Sequence, residues 1–228
     1  MKNEGVAGIE TLKRLKWDHL FSKETLEASS VVTYTSGTML CSNDQTITSL
    51  FVVLEGRVKI YTLSEEGKLR LLRLKAAPTL IGDIEYASGR NVLHTVEAVG
   101  TVTCLKIPFE ALRRYNRTVD FTEHLLKGVS EKLFIEANAS SNHLMSTLEE
   151  RLAGYLISLS ESGNELFQAE MSQLKRKEVA EWLGTSYRHL NRTLQAFVEE
   201  GLVQRTRKEV VIIDSEKLKE RANGMFYE

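Results

Sequence analysis

The chain has 228 residues, of which 42% are apolar and 27% charged, a globular composition long enough for one large or two ordinary domains. No apolar run approaches membrane-spanning length and no signal-peptide pattern opens the chain, which argues against a membrane partner and for a cytoplasmic location. The two cysteines, Cys41 and Cys104, fit a reducing compartment, and the net charge of −1 does not by itself point to nucleic acid.

Residues 31–107 show short β-rich runs punctuated by glycines at 37, 56, 67, 82, 89 and 100. Phe51-Val52-Val53-Leu54, the turn Glu55-Gly56 and Arg57-Val58-Lys59-Ile60-Tyr61 predict a hairpin. Further strands are predicted over 69–74, 92–98 and 101–107. So many short strands with regular turns argue for a β-roll or barrel, which either encloses a small ligand or is packed solid.

A helical stretch follows from Pro108 to about Leu159. Leu126, Val129, Leu133, Ala137, Ser140, Leu144 and Leu148 recur at three- and four-residue steps with small residues in the middle, a stripe suited to two helices crossing closely. The pattern predicts a dimer helix, although a stripe packed on the chain's own β-roll has the same spacing. Ser146-Thr147-Leu148-Glu149 reads as an S-x-x-E capping box that starts a new helix and marks a hinge. That helix runs to about Ser160 and stops at Ser162-Gly163-Asn164.

Over 177–195 the sequence reads as two short helices joined at a glycine. Val179, Ala180 and Leu183 share one face of the first, Gly184 ends it, and Thr185 and Ser186 are placed to cap the second. The buried stripe of the second helix is Leu190, Leu194, Phe197 and Val198, opposite Tyr187, Arg188, Asn191, Arg192 and Gln195, which with Ser186 at the helix start make up the DNA-facing set expected of this helix. Arg can grip guanine with two hydrogen bonds, and Asn or Gln can grip adenine. An ordinary helical hairpin with a solvated polar face has the same local pattern, and the downstream sequence separates the two. After Gly201, two short β-runs flank the turn Thr206-Arg207-Lys208-Glu209, a wing that places Arg205, Arg207 and Lys208 for phosphate contacts. Residues 175–208 carry eight basic and four acidic side chains, a local balance of +4 that leaves −5 for the remainder. A modest basic patch on an acidic molecule suits a selective DNA binder.

The order β-roll, long helix, winged helix-turn-helix resembles the bacterial cyclic-AMP receptor and fumarate-nitrate-reduction (Crp/Fnr) regulator family over nearly the whole chain. The residues that carry the resemblance are Tyr34-x-x-Gly37, the run 50–61, Ile81-Gly82-Asp83, Ala98, Arg151-Leu152-Ala153 and the helix-turn-helix itself. It implies an α+β protein divided into a β-roll sensor domain (1–110), a dimerisation helix (111–145) and a DNA-binding domain (146–228). It further implies a homodimeric transcription regulator, not an enzyme, whose recognition helices enter successive major grooves of a near-palindromic site, with RNA polymerase as a further partner at the promoter. By position Arg192 matches the family's principal base-contacting arginine, and Tyr187 and Arg188 fall where the family varies residues to choose promoters. Thr193 stands where the family often places a larger apolar residue, and the wing tip lacks the glycine of many relatives.

In nucleotide-binding members of the family, an acidic residue after the Ile-Gly pair and an Arg-Ser or Arg-Thr pair before the motif alanine hold ribose and phosphate. The effector pocket would then comprise Gly82, Asp83, Arg90, Val92 and Leu93. Asp83 can fill the acidic role, but alignment on Ala98 puts Val92 and Leu93 where the Arg-Ser pair belongs, and Arg90 reaches the pocket only if the loop shifts by two residues. A cyclic phosphate there lacks a cation, so cyclic AMP is not expected as effector and a small-molecule signal stays unidentified. The family's iron-sulfur branch commonly uses four thiolates; with two separated cysteines, no such cluster is expected. Nothing beside Cys41 lowers its pKa, Cys104 sits in an apolar run, and both read as small buried hydrophobes. His94 and His124 are haem-ligand candidates by type alone.

Two other classes remain as alternatives. A cupin-type metal enzyme needs paired histidines on one strand, and the barrel region has only His94. A small-ligand module docking on protein partners through the long helix has no use for Asn191 and Arg192 beside a basic wing.

Overall fold

The computed structural model describes residues 2–63, 69–143, 146–160, 176–205, 210–225 and 227. They form two units, one made of Met1–Val58 and Ala76–Asn138, the other of Lys59–Lys75 and Ala139–Glu228.

The first unit opens with α1 (Lys2–Arg14), a 3-10 turn at Asp18–Leu20, and α2 (Lys23–Glu27), whose start is capped by the Ser22 hydroxyl accepting from the Thr25 amide. An antiparallel β-roll follows, built from β1 (Ser30–Tyr34), β2 (Met39–Cys41), β3 (Ser49–Leu63), β4 (Leu69–Ala76), β5 (Thr79–Ile81) and β6 (Thr95–Pro108), of which residues 59–63 of β3 and 69–75 of β4 belong to the second unit. The sheet order is β1-β6-β3-β4, with β2 added on β6 and β5 on β3. Its inward residues include Leu50, Val52, Leu105 and Ile107, which join Leu12, Leu20, Leu112 and Phe121 in one apolar core. Each such side chain, fully buried, stabilises the fold by about 1.5–3 kcal/mol in transfer free energy.

Two strands are longer than the glycine punctuation predicts. Gly56 does not close a hairpin. It lies inside β3 at φ 88°, where a Cβ would stand 2.3 Å from the Thr101 carbonyl oxygen, so it permits close approach of β3 to β6 rather than a reversal. Gly100, at φ 71°, lies inside β6 in the same way. Before it, β6 pairs with β2 (Met39↔Glu97, Cys41↔Val96); after it, β6 pairs with β1 (Val32↔Cys104, Tyr34↔Val102). A left-handed glycine bends the strand from one partner to the next without ending it. Residues 92–94 precede the strand instead of opening it: Val92 donates its amide to the Gln45 carbonyl and accepts from the Asp44 amide in a loop.

The helix expected over 111–145 is two helices, α4 (Phe109–Tyr115) and α5 (Val119–His143). The break has a local cause. The Asn116 carboxamide accepts from the Ser22 amide at 2.6 Å and donates to the Leu20 carbonyl at 3.0 Å, which holds its backbone outside the helical region, and the Thr118 hydroxyl accepts from the Phe121 amide to start α5. Between β5 and β6 lies the short helix α3 (Asp83–Ser88), entered through Gly82 at φ 89°.

The second unit contains α6 (Leu148–Ser160), α7 (Arg176–Trp182), α8 (Tyr187–Glu199), β7 (Val203–Arg205), β8 (Val210–Ile212) and α9 (Ser215–Ala222). The capping box of α6 sits one residue later than predicted. Thr147 Oγ1 accepts from the Glu150 amide while Glu150 accepts from the Thr147 amide at 2.7 Å, and Ser146 offers its carbonyl to Arg151 instead. Leu152, Ile157, Leu183, Leu190, Phe197 and Leu218 are fully buried, and α9 packs along α6. The predicted stop at 162–164 lies outside the described residues.

Candidate nucleic-acid interface and sensor site

The turn between α7 and α8 is built from backbone bonds. Gly184, at φ 63°, donates to the Glu181 carbonyl, and Thr185 donates to the Ala180 carbonyl, the paired closure that ends a helix at a left-handed residue. Ser186 then caps α8, its hydroxyl accepting from the His189 amide at 3.2 Å. Arg151 reaches over from α6 and donates Nε to the Leu183 carbonyl at 3.0 Å, fixing the turn on the body of its unit.

α8 is sharply two-faced. Leu190, Thr193, Leu194 and Phe197 are buried, with Val198 half-buried. Thr193 fits that face because its hydroxyl donates to the His189 carbonyl, which leaves a small side chain with no unpaired donor. Opposite lie Tyr187, Arg188, Arg192 and Gln195, all exposed. Arg188 and Arg192 make no hydrogen bond or ion pair among the described residues, whereas Gln195 donates to Glu199 at 3.2 Å. Asn191 departs from the expected base-facing set: it is half-buried, its Nδ2 donates to the Tyr187 carbonyl at 2.8 Å, and its Oδ1 is enclosed. A residue not anticipated, His189, is exposed on the first turn, with Thr185 Oγ1 at 3.4 Å from its Nδ1. The strands of the wing pair Val203↔Ile212 and Arg205↔Val210. Arg205 is half-buried, and Arg207 and Lys208 lie outside the described residues. Arg221 of α9 braces this unit by pairing with Glu149 at 2.7 Å and with Glu200 at the end of α8.

In the first unit, the predicted sensor residues are only partly brought together. Asp83 is 3% exposed, and both of its carboxylate oxygens accept from Lys132 Nζ of α5 at 2.7 Å. Arg90 does not reach it; the side chain is exposed and its amide donates to the Ser88 hydroxyl. Val92 is buried, but Leu93 is 68% exposed, so the second hydrocarbon residue expected in a pocket points to solvent. Glu85 lies close by, its carboxyl pushed above the ordinary range first by burial, with the neighbouring Asp83 acting in the same direction. Lys132 was not singled out by the sequence, since nothing near it in the chain marks it as the partner of Asp83.

On α5, Leu126 and Leu133 are 66% and 69% exposed and Val129 is half-buried. The helical backbone continues through Ala137, whose side-chain placement is outside the described set, as is Leu144. His124 is packed edge-on against Trp17 at 4.6 Å between ring centroids, and burial lowers its pKa. No group of three or more His, Cys, Asp or Glu among the described residues is placed to hold a metal ion, and no described helix is long and apolar enough to cross a membrane.

Comparison with known proteins places these two sites in one family. The model of the cyclic nucleotide-binding domain matches residues 31–118 and that of the Crp-like helix-turn-helix domain matches residues 150–221. The chain belongs to the Crp/Fnr family. Its relatives include the regulatory protein YeiL of Escherichia coli O157:H7, 29% identical over 171 residues that cover 74% of each chain. Another is the CRP-like cAMP-activated global transcriptional regulator of Mycobacterium tuberculosis, 24% identical over 179 residues, 76% of this chain and 79% of that one. Among solved structures, a crp/fnr-family regulator from Eubacterium rectale superposes with a TM-score of 0.71 at 20% identity, covering 91% of this chain and 97% of its own. The protein is thus a Crp/Fnr-type DNA-binding transcription regulator of α+β architecture and not an enzyme.

Both cysteines are buried free thiols, Cys41 on β2 and Cys104 on β6. Burial pushes each up to about 12, and the nearby Glu85 carboxylate adds to the shift at Cys41. The thiolate is the reactive form, so at neutral pH neither is expected to react with iodoacetamide in the folded protein, and both are expected to react after unfolding in denaturant. Mass spectrometry of the labelled chain reads the result; stoichiometric labelling of either cysteine in the native state contradicts it.

Proposed function

We propose that the protein is a cytoplasmic, homodimeric regulator that binds a near-palindromic promoter site, with one α8 helix in each of two successive major grooves and the β-roll receiving a signal. The observation that carries this reading is the asymmetry of α8: a dry face seats the helix, and the opposite face presents Tyr187, Arg188 and Arg192 to solvent with both guanidinium groups unengaged among the described residues. Preset but unsatisfied donors on a rigid helix are what base edges require. Support for two copies comes from α5, where exposed Leu126 and Leu133 leave an apolar stripe in water. Arg205, with Arg207 and Lys208, supplies phosphate contacts beside the helix. RNA polymerase is the expected protein partner once the site lies at a promoter.

The signal is chemically distinct from a cyclic nucleotide in this reading. Val92 is buried hydrocarbon where a cyclic phosphate needs a cation, Leu93 points to solvent, Arg90 does not reach Asp83, and Asp83 is already paired with Lys132. An iron-sulfur cluster is set aside because the chain has two cysteines, Cys41 on β2 and Cys104 on β6, where such a cluster commonly takes four thiolates.

Selection of bound sequences from a random DNA pool tests the proposal. The expected product is a half-site repeated in opposite orientation at a centre-to-centre spacing of about 10 base pairs. If about four basic side chains per subunit meet phosphate, the affinity of the dimer for that site falls with a log-log salt slope of roughly −7. No enrichment of any sequence, or a slope near zero, refutes the assignment.

A further inference from the structure

α5 carries two stripes with different fates. Phe121 is buried and Leu125 packs against the core of the β-roll, with Lys132 farther along the same helix anchored to Asp83. Val119, Leu126 and Leu133, seven residues apart, face solvent and are 66–70% exposed. The ammonium of Lys132 lies 2.7 Å from both Asp83 oxygens and 3.3 Å from the Leu80 carbonyl, so one cation ties together the end of β5, the start of α3 and the middle of α5.

The Asp83 side chain is 5% exposed and that of Lys132 20% exposed. A carboxylate so enclosed is not solvated by bulk water and requires a cation. A buried pair of this kind adds little net stability over two well-packed apolar residues, and its best-attested use is to fix register. The pair lies where it can set how α5 is turned, on the same helix as the seated Phe121 and Leu125. Successive residues on a helix point about 100° apart, so holding Lys132 inward turns Leu133 outward. Asp83 is entered through Gly82, which sits at φ 89° with the Ile47 side chain and the Ser49 carbonyl crowding the position of a Cβ, so glycine is the residue that fits the start of α3.

We propose that Lys132 is a tethered cation that permanently fills the Asp83 site, clamping α3 to α5 so that the apolar stripe of α5 is presented to a second copy of the chain without a diffusible ligand at that site. The proposal rests on the dimeric reading above. A soluble effector aimed at Asp83 has to displace an ammonium that is already bonded to both oxygens and held by its own helix at high effective concentration.

Lys132→Met and the double variant Asp83→Asn/Lys132→Met separate this clamp from a merely structural pair. Lys132→Met leaves a buried carboxylate unpaired, and amide exchange at 83–88 and 119–134 is expected to speed up. The double variant removes both charges and restores folding; it also serves if the single variant does not fold. The clamp is absent in both, so the dimer dissociation constant in sedimentation is expected to stay raised roughly tenfold in the double variant. A double variant that dimerises within about twofold of the wild type overturns the clamp. A wild-type chain that is monomeric at micromolar concentration defeats the dimeric reading instead; exchange then decides the clamp, and unchanged exchange at 83–88 and 119–134 in the folded double variant overturns it.

Discussion

Arg192→Ala is expected to abolish specific DNA binding while leaving the protein folded. Arg192 lies on the solvent face of α8, between the buried Leu190 and Leu194 turns, and makes no internal bond among the described residues, so its removal exposes no cavity and orphans no partner. Surface substitutions of that kind change stability by about 0.5 kcal/mol or less. Its loss is felt only against DNA. A bidentate arginine contact to guanine discriminates by about 1–3 kcal/mol, and a two-fold complex loses that amount at each half-site. The selected site should therefore be bound about as weakly as random DNA, with relaxed preference at one base position per half-site and a salt slope near that of the wild type. A footprint unchanged from wild type removes α8 as the reading helix. Arg188→Ala is the useful companion, because the same exposure with a different base preference shifts which position relaxes.

The helix-turn-helix was legible because its determinants are local. Gly184, Ser186 and the spacing of Leu190, Leu194 and Phe197 act within one or two turns, and each bond they predict lies between near neighbours. Asn191 escaped the same logic by one hydrogen bond: its side chain folds back on the Tyr187 carbonyl, a competition with the backbone that spacing does not reveal. The start of α6 shows how two equal local signals are settled from afar. Ser146 and Glu149 satisfy the capping pattern as well as Thr147 and Glu150, but Arg221 draws Glu149 away, while Asn223 holds one oxygen of Glu150 and leaves the other for the Thr147 amide. In the β-roll the ambiguity lies in glycine itself. A positive-φ glycine gives the same signal in a tight turn and within a strand that bends past a neighbour, and only the identity of the neighbour decides. For Gly56 that neighbour is Thr101, and for Asp83 it is Lys132, both too distant in the chain for pattern or propensity to find.

Gly56→Ala is expected to be the most destabilising small substitution in the first unit, and it tests the account of β3 directly. Two costs combine there. Gly56 has φ 88°, a region in which a side chain costs roughly 1–2 kcal/mol. Its new Cβ would also stand 2.3 Å from the Thr101 carbonyl oxygen and 3.0 Å from the Val102 Cα, backbone atoms held in β6 that no rotamer change moves aside. Forcing β3 and β6 apart adds a further penalty of about 1–3 kcal/mol. Gly89→Ala isolates the first cost, since Gly89 has φ 70° but nothing within 4 Å of the same atom. Urea unfolding should then rank the wild type above Gly89→Ala, and Gly89→Ala above Gly56→Ala, with the second gap at least as large as the first. Equal midpoints for the two variants would mean that β3 turns at Gly56 after all, as a hairpin requires, and does not pass within contact of Thr101.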